Sequence, residues 1–246
     1  SEIIAGAIQD HNRGLIIGKT KTAEFSIDEP PNTKNFYGNQ YHAGTSSTGS
    51  AVGCRLGFFD IGLGTQTAGS TFRPASYNGV FGYKPTFGVF PRTGLLKTTD
   101  TLDHVTLIGN SIKKIFQTFK SIRVKGSNYP IINEKLITKE FKKKEILFLK
   151  GYLWSSFDKY TKDKILGFID LLKKQHDFII EEIDLDNKYK KIHNSHSTIY
   201  NKSLSYYFNH EYKNNKNLIS NLTLSRIEKG RLINKNVFQE NLDFQN

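Results

Sequence analysis

Two clusters of small hydroxyl residues carry the chemistry this sequence could perform. The first is Gly44-Thr45-Ser46-Ser47-Thr48-Gly49-Ser50-Ala51. The second is Gly64-Thr65-Gln66-Thr67-Ala68-Gly69-Ser70-Thr71-Phe72-Arg73-Pro74-Ala75, which puts Ser70 24 positions after Ser46. A serine hydroxyl is a weak nucleophile until a base takes its proton, and neighbouring glycines let backbone N–H groups approach a developing negative charge. The same residues have plainer uses. Ser46 and Ser47 could cap a helix over 50–59, because a serine oxygen accepts from the first free N–H groups of a helix. Ser70 could simply serve a turn.

Other reactive side chains offer less. Cys54 falls inside the predicted helix and reads as a packed residue. Of the seven histidines, His193 and His196 stand three apart on a predicted helix, with no cysteine or acidic partner grouped near them. That is not a metal-ligand spacing, so neither a metal nor a cofactor is expected.

The elements that must position the serines can be read around them. Residues 1–26 predict a helix and then a short strand, and 28–40 a loop. Across 44–100, glycines are interleaved with Val52, Leu56, Phe58, Phe59, Ile61, Leu63, Val80 and Phe81. This pattern predicts tight turns in a packed region and not a flexible linker. Beyond residue 104 the pattern predicts a helix over 112–119 and a strand over 145–149. An amphipathic helix follows over 160–174, with Ile165, Phe168, Ile169 and Leu172 on one face. A strand over 178–180, continued by Ile183 and Leu185, leads into polar helices from 188 onward. Helices alternating with short apolar strands indicate an α/β architecture.

Composition narrows the classes. The chain has 246 residues and a formal net charge of +12. Most of the positive charge is lysine interspersed with acid, which reads as a solvated surface and not as a specific nucleic-acid stripe. No run approaches the roughly 18 apolar residues a membrane span needs. The single cysteine excludes an intrachain disulfide, and a cytoplasmic location is expected. There is no methionine, and the sequence ends within a polar, helix-like stretch; the expectation is an internal stretch of a longer chain.

The two serine clusters, in order with 79–88 (GVFGYKPTFG), with 18–26 (GKTKTAEFS) and with Thr101-Leu102-Asp103-His104-Val105, resemble the amidase signature family of serine amidohydrolases. The match is dense to about residue 119. It is looser beyond, where Trp154, Thr161 and 227–230 are similar to the family's variable helical region. The resemblance implies an α/β/α sandwich around a large mixed β-sheet, incomplete at both ends. Residues 1–120 would be the signature core and 121–246 a mostly helical continuation of the same domain. It implies hydrolysis of the C–N bond of a linear carboxamide through an acyl-enzyme on Ser70, with Ser46 as the bridging serine of a Ser-Ser-Lys triad. The backbone N–H groups of Thr67, Ala68, Gly69 and Ser70 would form the oxyanion hole, each donor typically contributing about 3 kcal/mol. Ser47 would support Ser46. His104 is read as structural, since the family does not use histidine as its base. The implied partner is a small-molecule amide, without nucleic acid or membrane, and a homodimer is left open.

The sequence departs from the family in places. The catalytic lysine is expected in a strand before the 18–26 block and is not in this chain; Lys19 occupies a different position. The 246 residues alone are therefore expected to be inactive. Thr45, Ala43 and Ala68 replace family residues, Gln66 stands where many members have Asp, and Phe72 stands where Arg often lies. Two other readings stay open. One is the glutaminase subunit of a tRNA-dependent amidotransferase, which Gln66 and Ala68 disfavour; the other is a non-catalytic amidase-like protein or basic nucleic-acid module.

Overall fold

A computed structural model describes residues 20–24, 32–126, 130, 143–185 and 187–245. Most of the predicted 1–26 helix and strand, and Lys19, lie outside the described residues. The chain divides into two compact units, 1–131 with 197–243, and 132–196 with 244–246. The second half of the sequence thus contributes to both.

In the first unit, β1 (Ile61–Gln66), β2 (Phe81–Tyr83) and β3 (His104–Gly109) form an antiparallel sheet with β3 in the centre. Gly64 lies opposite Thr106 and Thr65 opposite Val105. Helix α1 (Thr48–Arg55) and helix α2 (Phe72–Tyr77) meet this sheet through a small core of Ala51, Cys54, Ala75 and Ile108. Small side chains bring these backbones close. A Cβ on Gly64 would stand 2.8 Å from Ser47 Oγ and 2.9 Å from Thr106 Oγ1, so the strand has glycine where the serine loop lies against it. The helix predicted over 50–59 begins earlier and stops at Arg55. Gly57, at φ 77, takes the left-handed turn that ends it, and its N–H donates to the Cys54 carbonyl at 3.1 Å.

Helix α3 (Ile112–Ile122) buries Ile115, Phe119 and Ile122, and its Ser111 cap accepts from the Lys114 N–H at 3.4 Å. The same unit has a second, apolar core. Helix α5 (Ile192–Tyr207), which belongs to this unit from Ser197 onward, is followed by helix α6 (Asn209–Asn214), helix α7 (Asn221–Leu232) and helix α8 (Lys235–Gln245), the last belonging to it up to Asp243. Tyr200, Leu204, Phe208 and Ile227 pack there. Burial of each such side chain contributes about 1.5–3 kcal/mol.

In the second unit, β4 (Lys144–Lys150) pairs in parallel with β5 (Phe178–Asp184), and helix α4 (Lys159–Lys173) is the crossover between them. Asp158 caps α4 by accepting from the Thr161 N–H at 2.8 Å. The predicted elements agree here to within a few residues. The predicted apolar face is too wide, because Ile169 is buried while Phe168 is 59% exposed. The described residues therefore form a mixed α/β structure with small sheets.

Candidate active site

Ser46 is the unusual residue. Among the described residues it is the one non-glycine with a positive φ, at 72. Its carbonyl accepts from the Thr48 N–H at 2.9 Å and from the Thr22 hydroxyl at 2.8 Å. The residue is 1% exposed, and its Oγ has no hydrogen-bond partner among the described residues. A left-handed backbone costs a non-glycine residue roughly 1–2 kcal/mol, and an unpaired buried hydroxyl about 1–3 kcal/mol. Two local costs thus fall on one residue, and the surrounding bonds must offset both.

The capping alternative fails on geometry. Ser47 occupies the N-cap position of α1, yet its side chain makes no capping bond. Its hydroxyl instead accepts from the Thr65 N–H at 3.3 Å and donates to the Thr65 carbonyl at 3.4 Å. Its backbone N–H donates to the Ser70 carbonyl at 3.2 Å. Ser47 thus ties the Ser46 loop both to the end of β1 and to the Ser70 turn.

The turn over 67–70 is fixed from its flanks. Gln66 is buried, and its Oε1 accepts from the N–H groups of Thr71 at 2.9 Å and Phe72 at 3.1 Å, which caps α2. An amide oxygen does here what a carboxylate could do, so Gln in place of Asp costs the turn no bond. The hydroxyls of Thr71 and Thr106 meet at 2.6 Å beneath it, both fully buried. The Gly69 carbonyl accepts from the Arg73 N–H at 3.0 Å. The backbone N–H groups of Thr67, Ala68, Gly69 and Ser70 have no hydrogen-bond partner among the described residues.

Ser70 lines a small pocket with a free volume of about 20 Å³, together with Thr65, Thr67, Arg92, Leu95, Lys97 and other residues. Asp103 builds one wall. Its carboxylate accepts from Thr67 Oγ1 at 2.7 Å, from the N–H groups of Thr98 at 2.7 Å and Thr99 at 2.9 Å, and from both their hydroxyls. His104 lies on the same pocket, with Nδ1 2.7 Å from the Leu102 carbonyl and Nε2 3.3 Å from Lys84 Nζ. These partners assign the proton to Nδ1. Burial, with the charges of Lys84 and Arg92, holds the imidazole below the ordinary histidine range, against the opposing Leu102 bond and Asp103 charge. It is a neutral wall residue, and no hydrogen bond joins it to Ser70 among the described residues. Cys54 is fully buried with its Sγ 3.3 Å from the Ile108 carbonyl, and burial pushes its thiol up to about 11. Among the described residues no group of three or more His, Cys, Asp or Glu side chains could hold a metal ion.

The profile of the Amidase family matches residues 12–244. This chain belongs to the amidase family. Among its relatives, the A-type subunit of the glutamyl-tRNA(Gln) amidotransferase of Streptococcus mutans is 30% identical over 70% of this chain and 38% of its own length. The corresponding mitochondrial protein of Fusarium vanettenii is 38% identical over 41% of this chain and 21% of its own length. The crystal structure of an amidase superposes with a TM-score of 0.78 at 20% identity, covering 97% of this chain and 54% of the other. The fold is therefore the amidase fold, and the chain spans well under half the length of these curated relatives. Among the described residues no helix is long and apolar enough to cross a membrane.

Around the two serines, several residues escape a reading of the sequence alone. Asn78 is fully buried and donates to the carbonyls of Ala43 at 3.0 Å and Pro74 at 2.8 Å, while its Oδ1 accepts from the Phe36 N–H at 3.1 Å. It joins the approach to Ser46 to the end of α2. Asp103, Thr22 and Glu24 hold other joints. Asp103 and the 18–26 block stand in recognised motifs, but nothing in their types tells which loop each grips.

Proposed function

We propose that this chain carries the acyl-transfer centre of an amidohydrolase, with Ser70 as nucleophile and Ser46 as the bridging serine. The observation that carries the reading is the Ser46 hydroxyl, buried and without a partner among the described residues, on a loop that Ser47 bonds to the Ser70 turn at 3.2 Å. Such a hydroxyl is suited to passing a proton between a nucleophile and a base, because no competing bond must break. The N–H groups of Thr67, Ala68, Gly69 and Ser70 supply the oxyanion donors of this reading, since none is used elsewhere among the described residues. Ser70 Oγ attacks the amide carbonyl, its proton leaves toward Ser46, the amine departs protonated, and water releases the acyl group. The reading assigns the base to the family's lysine, which does not correspond to any lysine of these 246 residues. The chain by itself is accordingly proposed to turn over no amide.

The substrate class is a small carboxamide, with a linear C–N bond as the simplest case, and the compartment is cytoplasmic. A second reading, the glutaminase subunit of an amidotransferase, is favoured by the names of the relatives above. In that reading the amide is glutamine, and the ammonia is passed on within a complex. In the gene's full product, Ser70→Ala is expected to lower amide hydrolysis by at least about 1000-fold, the scale of loss for a covalent nucleophile. A Ser70→Ala enzyme with near-wild-type turnover would refute the assignment. Dependence of that hydrolysis on partner subunits separates the glutaminase reading from a free-standing amidase.

A further inference from the structure

Beyond the serine loops, a short strip of chain is bonded both to the Ser46 loop and to the start of a distant helix. Residues 20–22 are each bonded to the first serine cluster. Thr20 Oγ1 meets Ser50 Oγ at 3.2 Å, the Lys21 carbonyl accepts from the Gly49 N–H at 3.2 Å, and the Thr22 hydroxyl donates to the Ser46 carbonyl at 2.8 Å. Gly49 is pressed so closely that a Cβ there would stand 2.6 Å from the Lys21 carbonyl. At the end of the strip, Glu24 reaches nearly 200 residues along the chain to the start of α7. Its carboxylate accepts from the Ser220 N–H at 3.1 Å, from the Ser220 hydroxyl and from the Thr223 hydroxyl at 2.7 Å. Burial works against the charge, but these bonds outweigh it and hold the carboxyl below the ordinary carboxylate range. A carboxylate at a helix start is favoured by the helix dipole, and its charge-assisted bonds are about twice as strong as neutral ones.

We propose that Thr22 and Glu24 are positioning residues for Ser46, resting on the role proposed above for that serine. Glu24 anchors the strip to the apolar helical core, and Thr22 transmits the anchor to the Ser46 carbonyl. The carbonyl is the right handle: with Thr48 N–H on one side and Thr22 on the other, it fixes the peptide plane that follows a left-handed φ. Neither residue need touch substrate. Releasing the carbonyl lets the loop relax toward an ordinary φ and swings the buried hydroxyl away from its place. The loss falls on the chemical step, not on substrate binding.

The test is steady-state kinetics on the gene's full product. Thr22→Val removes the hydroxyl at nearly constant shape, Thr22→Ser restores it, Glu24→Gln keeps the volume but weakens the anchor, and Ser70→Ala is the control. A displacement of the order of 1 Å can cost up to about 100-fold, so kcat is expected to fall at least about tenfold in Thr22→Val. KM should stay within about twofold, the sign of an interaction acting on the chemical step alone. Thr22→Ser should recover most of the rate, and Glu24→Gln should fall between. A merely structural role would lower the thermal midpoint yet leave kcat per folded molecule unchanged, and that result overturns the proposal. So does an equal loss in Thr22→Ser and Thr22→Val. Should Glu24→Gln fail to fold, the Thr22 pair still decides. Normal rates in Ser70→Ala would instead bring down the functional reading itself, a separable failure.

Discussion

The first unit contains two cores of opposite character. Between residues 45 and 106 the buried side chains include Thr45, Ser46, Ser47, Thr48, Ser50, Gln66, Thr71, Asn78, Thr98, Thr99 and Thr106. Between 199 and 227 the interior is chiefly Ile199, Tyr200, Leu204, Phe208, Ile219 and Ile227. The helical core is held by non-directional burial, which tolerates small shifts. The signature core is held largely by directional hydroxyl bonds, which fix atoms closely but leave an expensive orphan where a buried group loses its last partner. One region supplies stability and the other supplies position, and Glu24 joins them.

The sharpest way to break this comparison is Ser46→Gly. Glycine accepts φ 72 without strain and removes the orphaned hydroxyl, so the backbone relaxes while the proton relay is lost. Turnover of the gene's full product is expected to drop at least about 100-fold, while stability stays level or rises by about 1 kcal/mol. A thermal melt beside the rate measurement checks both halves, and a destabilised Ser46→Gly would show the residue to be structural. Leu204→Ala should do the reverse. The cavity is expected to cost about 2–5 kcal/mol in denaturant titration, with kcat per folded molecule unchanged.

Thr106→Val should cost less, about 0.5–1.5 kcal/mol, because it removes the 2.6 Å bond to the fully buried Thr71 hydroxyl, which keeps its 3.3 Å bond to the Thr65 carbonyl. Its melt is informative because no apolar area is lost. The smallest effect concerns pH. His104 binds its proton less readily folded than unfolded, so the unfolded chain takes up more protons as the pH falls through the ordinary histidine range near 6.5. Stability is therefore expected to fall on acidification from about pH 7.5 to about 5.5, and His104→Gln should flatten that slope. An unchanged slope would mean that the imidazole is not held neutral in the pocket wall.

What the sequence makes legible follows the same division. The second unit can be read to within a few residues, because amphipathic spacing announces α4 and the short apolar runs Ile-Leu-Phe-Leu and Phe-Ile-Ile announce β4 and β5. Motif and spacing single out the serines. Strand β1, which leads into the Ser70 turn, escapes prediction as a strand, since Ile-Gly-Leu-Gly-Thr-Gln has glycine in place of bulky strand formers. Glycine stands there for a tertiary reason, the approach of Ser47 to Gly64, which no local pattern encodes. Phe168 misleads because amphipathic spacing gives the direction of an apolar stripe but not the width of what covers it. Long-range bonds such as Glu24 to Ser220 are beyond local reading altogether.

Covalent trapping tests the assignment of Ser70 as nucleophile most directly. The gene's full product would be treated with a fluorophosphonate, which forms a stable adduct with an activated serine, and then digested for peptide mass spectrometry. The expected result is one adduct, on the peptide containing Ser70, with loss of turnover in proportion to labelling and no labelling of Ser70→Ala. An adduct on another residue that accounts for the lost activity, or full turnover in the Ser70→Ala protein, would contradict it.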